Sequence, residues 1–152
     1  MAEDSFPSWP LYLSLIFGSL YILIAIIDIL ALLAIIQSPY STGDFIASIM
    51  MLVVGLVFIA GTPSLRRGEK DGYAFTLVAT TLAGILFLLQ ILVFISNALG
   101  WILGFENWSE WDPLADIIPS IWLFTLILLT MGVLRSLKML GGEKGIFPIG
   151  GK

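Results

Sequence analysis

The chain predicts an all-α integral membrane bundle of four transmembrane helices. Three observations carry that prediction. First, 59% of its 152 residues are hydrophobic and mean hydropathy is +1.03. A soluble domain this small has too much exterior for its volume to hide so much apolar surface, whereas a bilayer acts as its solvent. Second, four long apolar runs alternate with joints punctuated by Gly and Pro. Third, the 7 basic residues fall in two places. Arg66, Arg67 and Lys70 stand between the second and third runs; Arg135, Lys138, Lys144 and Lys152 follow the fourth. Basic residues at alternate ends of apolar runs state an orientation.

Span one runs from Leu11 to about Gln37, ahead of the Ser38-Pro39 turn. It is too long for a signal-peptide core and has no basic segment before it, so it reads as a retained span. Span two runs from Phe45 to about Thr62, where Pro63 marks its end. Span three runs from Ala74 to about Ala98, bounded by Gly68 and Gly72 on one side and Gly100 on the other. Span four runs from Ile117 to about Leu134, after Asp112-Pro113. Each is close to the ~20 residues that cross ~30 Å of hydrocarbon as a helix. Helix is required because lipid offers no partner to backbone N–H and C=O groups. Residues 1–140 form one transmembrane domain. The glycine-rich end, 141–152, reads as a flexible cytoplasmic tail.

Positive charge marks the cytoplasmic side. The 63–73 loop and both termini are therefore expected in the cytoplasm of a multi-pass cell-membrane protein. Loops 38–44 and 100–116 are expected outside. Trp101, Trp108, Trp111 and Trp122 gather at the outer boundary and Trp9 marks the inner one, as suits amphipathic rings. The outer loop carries Glu106, Glu110, Asp112 and Asp116. Their i, i+4 spacing invites a cation, but Pro113 interrupts any shared helix and the spacing of a calcium loop is absent. An acidic interfacial loop is the better reading. Asn107-Trp108-Ser109 matches a glycosylation sequon, a short pattern that arises often by chance.

Asp28 is the ionisable residue deep in a span. A charged carboxylate there costs at least ~2.5–3.5 kcal/mol, so it should face protein or water rather than lipid. On span one, Ser14, Gly18, Tyr21, Ala25, Asp28 and Leu32 share one helical stripe. Thr76, Thr80, Ala83, Phe87, Gln90, Phe94 and Asn97 do so on span three, and Trp122, Thr125, Leu129, Gly132 and Ser136 on span four. Counted from the expected outer ends, Asp28, Gln90 and Thr125 all lie roughly 12–14 Å deep at 1.5 Å per residue. These three form the candidate binding cluster, in which a carboxylic acid at Asp28 can donate to the amide oxygen of Gln90. Gly55, Gly61 and Gly84 are expected to serve helix packing. Leu20–Leu30 can also be laid over Leu82–Leu92, which sets Asp28 on Gln90 and hints at two related hairpins.

With no cysteine and no histidine, the chain lacks thiolate chemistry, disulfides, the usual metal ligand and the usual near-neutral proton-transfer group. No catalytic residue, metal or cofactor is expected. Its net charge of −4 does not suit nucleic acid, which calls for a clustered basic surface. The expected partners are the lipid bilayer and other membrane subunits, in a homo- or hetero-oligomer. The reading favoured is a non-catalytic accessory or assembly subunit of a larger membrane complex. The alternative is a small oligomeric transporter or channel that uses Asp28 to carry a proton or cation.

Overall fold

A computed structural model describes residues 9–35, 44–114 and 116–142, with 136–142 described by backbone alone. Four α-helices follow in order: α1 (Trp9–Leu32), α2 (Phe45–Arg66), α3 (Lys70–Ile102) and α4 (Pro119–Gly142). A single 3-10 turn, Glu106–Trp108, lies between the last two. The first three are long and apolar enough to cross a membrane, and α4 contributes the shorter apolar stretch Pro119–Arg135. The all-helical membrane bundle is therefore the architecture of this chain. The expected N-terminal segment, most of the 38–44 turn and the tail beyond Gly142 lie outside the described residues.

The helix ends differ from the sequence expectation, and each difference has a local cause. Helix α1 stops at Leu32, short of Gln37. There the Ile35 N–H returns to Leu30 O and the Ala34 N–H to Ala31 O, both at 3.0 Å, with Ala34 at φ 55°. This pairing around a left-handed residue is the usual way a helix satisfies its last carbonyls. Helix α2 begins at the cap residue Asp44, whose carboxylate accepts from the N–H groups of Ile46 and Ala47 at 2.8 and 3.3 Å. It then continues past Thr62 through Pro63 to Arg66. Proline cannot donate to the Ile59 carbonyl, but the Thr62 hydroxyl does so at 2.7 Å. The helix survives because a neighbouring side chain replaces the missing donor.

Gly68, at φ 71°, ends α2. Its N–H reaches Leu65 O at 3.1 Å, and the Glu69 N–H reaches Ser64 O at 2.9 Å. Helix α3 starts directly afterwards, so Gly72 lies inside it. At the far end Gly100 is again helical, and Gly104, at φ 72°, makes the stop, with Phe105 N–H on Gly100 O at 3.1 Å. Helix α4 opens on Pro119, whose missing N–H costs nothing at a first helical position.

Helix α1 packs most extensively on α2, and α2 on α3; the α3–α4 and α1–α4 contacts are sparser. The core joins Leu13, Phe17, Tyr21 and Ala25 of α1 to Met51, Val54 and Phe58 of α2, with Ala79 and Ala83 of α3 and Leu123 and Ile127 of α4. The α1 stripe read from sequence is the buried one. The α3 stripe is its inner face, buried at Ala83 and half-buried elsewhere. The α4 stripe faces the other way: Trp122, Thr125, Leu129 and Gly132 are exposed. Leu123 and Ile127 enter the core instead. The Thr125 hydroxyl donates to Ile121 O at 2.8 Å, so it is satisfied within its own helix and faces outward at little cost.

Glycines set the close approaches. A Cβ on Gly55 would lie 2.9 Å from both Gly18 O and Ile22 N. One on Gly72 would meet Leu65 N at 2.5 Å, and one on Gly61 would meet Phe75 Cβ at 2.6 Å. Helices α1, α2 and α3 therefore touch backbone to backbone, as small residues permit in lipid.

Candidate functional site

Asp28 is 2% exposed. The Ser48 hydroxyl stands 2.8 Å from Asp28 Oδ2 and also donates to Asp44 O at 2.9 Å. The Ser48 hydroxyl thus ties the side chain of Asp28 to the backbone at the start of α2. The pair sits one turn inside α2 and one turn before the end of α1. At 1.5 Å per residue that is about 6 Å from either helix end, shallower than the expected depth because α1 ends early. The start of α2, whose first N–H groups are capped by Asp44, lies one turn from Ser48, so the positive pole of its dipole is near the carboxyl.

Of the three residues of the expected cluster, Asp28 is buried. Gln90 is half-buried on α3, while Thr125 lies on the exposed face of α4. Asp28 accepts from Ser48, a residue outside the expected cluster. A signal for it existed: the two residues lie 20 positions apart, centred on the Ser38-Pro39 turn, where an antiparallel hairpin brings equal distances face to face.

Two further polar groups share the α1 stripe. Thr76 donates to Gly72 O at 3.1 Å, so Ser14 supplies the proton in its 2.9 Å contact with Thr76 Oγ1. Midway between Ser14 and Asp28 is Tyr21, wholly buried, its hydroxyl without a hydrogen-bond partner among the described residues. An unmet buried donor costs about 1–3 kcal/mol.

At the end of the bundle where α3 stops, residues 103–118 fold back as a cap. Asp116 Oδ2 accepts from the Asn97 amide at 2.7 Å and from the Trp111 indole at 2.8 Å. The Trp108 indole donates to Asn97 Oδ1 at 3.1 Å. Trp108 lies over Gly100, where a Cβ would come within 2.7 Å of its ring. Trp111 meets Phe94 edge-on, with ring centroids 5.5 Å apart. Asp116 is thus a structural acceptor, and Glu106, Glu110 and Asp112 stand exposed. No group of three or more potential metal-binding side chains occurs among the described residues.

The opposite end carries the bases. Arg67 and Glu69 form a two-pronged ion pair, with Arg67 Nη2 3.0 Å from Glu69 Oε2. The hydrogen bond and charge of Glu69 raise the Arg67 pKa, and the hydrogen bond from Arg67 lowers that of Glu69. Both side chains are exposed, so the pair adds little to stability.

Fold and site together define a small polytopic membrane protein. They show a tightly packed first hairpin, a buried acid held by a serine, an aromatic cap at one end and bases at the other. The chain belongs to the MJ0565 integral membrane domain family, whose profile matches residues 10–136. It is similar to the uncharacterized protein MJ0565 of Methanocaldococcus jannaschii, with 29% identity over 110 residues, covering 69% of this chain and 75% of that protein. No solved structure matches the chain.

Proposed function

We propose that this protein is a non-catalytic accessory or assembly subunit of a larger membrane complex, with α3 as its contact helix. The observation that carries the reading is the imbalance between helices. Only 11% of the most apolar stretch of α3 is buried, against 28% for α1 and 33% for α2. A helix of 33 residues thus has one half-buried face and an opposite face, with Leu88, Leu89 and Leu92, open to whatever surrounds it. The chain has no histidine or cysteine to act as a near-neutral base or a thiolate nucleophile. The basic end faces the cytoplasm of the cell membrane, following the charge rule.

Extraction in a gentle detergent should bring a stoichiometric membrane partner. Because the chain has no cysteine, a single cysteine at Leu88 or Leu92, 60% and 63% exposed, should crosslink to that partner. A lone monomer or a homogeneous homo-oligomer would count against the reading.

The unpartnered Tyr21 hydroxyl favours a second reading, in which Asp28 binds a proton or cation on its way across the bundle. Tyr21 lies about 10 Å along α1 from both Ser14 and Asp28 at 1.5 Å per residue, on the same buried stripe. Asp28→Asn should then abolish pH- or ion-driven flux in liposomes. Unchanged flux would remove Asp28 from the mechanism.

A further inference from the structure

At the basic end, α1, α3 and α4 part and leave a pocket of about 290 Å³, lined by Trp9, Leu13, Tyr73, Leu77, Thr80 and Met131 among others. We infer that this pocket holds one hydrocarbon chain of an anionic phospholipid, with its phosphate between Lys70 and Arg135.

The interior of the pocket suits a lipid tail. Its threonines are already satisfied: Thr76 bonds Gly72 O and Ser14, and Thr80 donates to Thr76 O at 2.8 Å. What they present to the pocket is carbon. The volume is roughly twice the ~150 Å³ of a cavity that admits benzene, so several methylenes fit. From Tyr73 to Thr80 the wall runs about 10 Å along the helix at 1.5 Å per residue. Leu77 is 69% exposed and Met131 39%, so the pocket opens sideways, where a lipid tail can enter without leaving the bilayer.

The rim suits an anionic headgroup. Lys70 stands one turn beyond Tyr73 on α3, and Arg135 one turn beyond Met131 on α4, both toward the same end. Among the described residues the one ion pair is Arg67–Glu69, which leaves Lys70 and Arg135 without one. Lys70 also opens a long helix; Asp71 in its first turn offsets the positive pole there, so the two bases carry the attraction. Basic pockets between transmembrane helices are recognised headgroup sites. Trp9 supplies the interfacial ring beside them. The surface around α3's centre has no such charge, which distinguishes this pocket from the ordinary lipid-facing wall.

Native mass spectrometry of the full chain, released from nanodiscs of equal phosphatidylglycerol and phosphatidylcholine, tests the site. One phosphatidylglycerol per chain should be retained, at least fivefold over phosphatidylcholine. The paired variant Lys70→Gln/Arg135→Gln should erase that preference. Both side chains are exposed, so the variant keeps its core. Leu77→Trp, which fills the pocket from an exposed position, should lower retention of either lipid. Arg66→Gln serves as the control, since α2 does not line the pocket, and should leave the preference intact. Equal retention of the two lipids overturns the inference. So does an equal loss in Arg66→Gln, which would make the attraction a diffuse surface effect. Residues 1–8 precede Trp9 in the chain and include Glu3 and Asp4. A preference seen only after deleting residues 2–8 would make that segment the occupant and overturn the inference as well.

Discussion

The two hairpins of this bundle are built to different tolerances. In the first, α1 and α2 meet backbone to backbone at Gly18 and Gly55, bury Tyr21, Val54 and Phe58 completely, and enclose Asp28 with Ser48. In the second, α3 and α4 meet through bulky rings, such as Phe87 and Phe124 with centroids 5.1 Å apart, and leave a pocket toward the basic end. A Cβ on Gly132 of α4 would find nothing within 4 Å. The first hairpin is the more apolar of the two, but lipid is as apolar as either, so that does not decide how closely the helices meet. The difference comes from where small residues fall: lipid supplies no hydrophobic drive between helices, and packing decides which pairs close up.

The sharpest way to break this contrast is at the tight joint. Gly72→Ala and Gly55→Ala place a methyl group against main-chain atoms that have nowhere to go. Each should destabilise the bundle by about 3 kcal/mol, at the upper end of overpacking costs, as read by thermal unfolding in detergent. A loss under ~0.5 kcal/mol in Gly55→Ala, within the range of ordinary surface changes, would mean the first hairpin is not tight; the same in Gly72→Ala would mean that the seam between α2 and α3 is not.

Next in size is the cap. Asp116→Ala takes the acceptor from both Asn97 and Trp111, at about 1–2 kcal/mol for donors left without a partner. The Trp emission of the cap should shift to the red as water enters. An unaltered spectrum and melting point would show that aromatic contacts alone hold the cap. Ser48→Ala should cost only about 0.6 kcal/mol, the average for interhelical hydrogen bonds in membranes. A loss several times larger would show that Ser48 is the main support of the buried acid. Smallest is Gly132→Ala, which adds a methyl group in open space and should raise stability by about 0.5 kcal/mol through helix propensity. Destabilisation there would place an unseen neighbour on α4 and erase the contrast.

Hydropathy and charge spacing made the four helices legible, because burying apolar surface in lipid is a property of composition. Helix ends were less so. Gly72 and Gly100 read as breakers, yet both are helical, and the true stops are Gly68 and Gly104, where the backbone turns left-handed. Glycine permits either use, and only tertiary contact decides between them. Pro63 misled for a related reason, since the Thr62 hydroxyl repairs what proline removes. The inner faces of α1 and α3 were legible as stripes of small and polar residues. That of α4 was not, because a threonine bonded to its own helix needs no buried partner. Asp28 stood out by its charge. Ser48 did not, because serine in an apolar helix carries no such signal and its pairing depends on the register of the hairpin.

The length of α3 has a mechanical consequence. At 1.5 Å per residue its 33 residues span about 50 Å, while α2 has 22 and spans about 33 Å. Two rods of such unequal reach, fastened side by side, cannot both match a film of uniform thickness. The longer one must lean or draw the surrounding lipids taut on its side. The molecule therefore imposes a lopsided strain on its surroundings, and a neighbour of similar reach would relieve that strain simply by standing next to it.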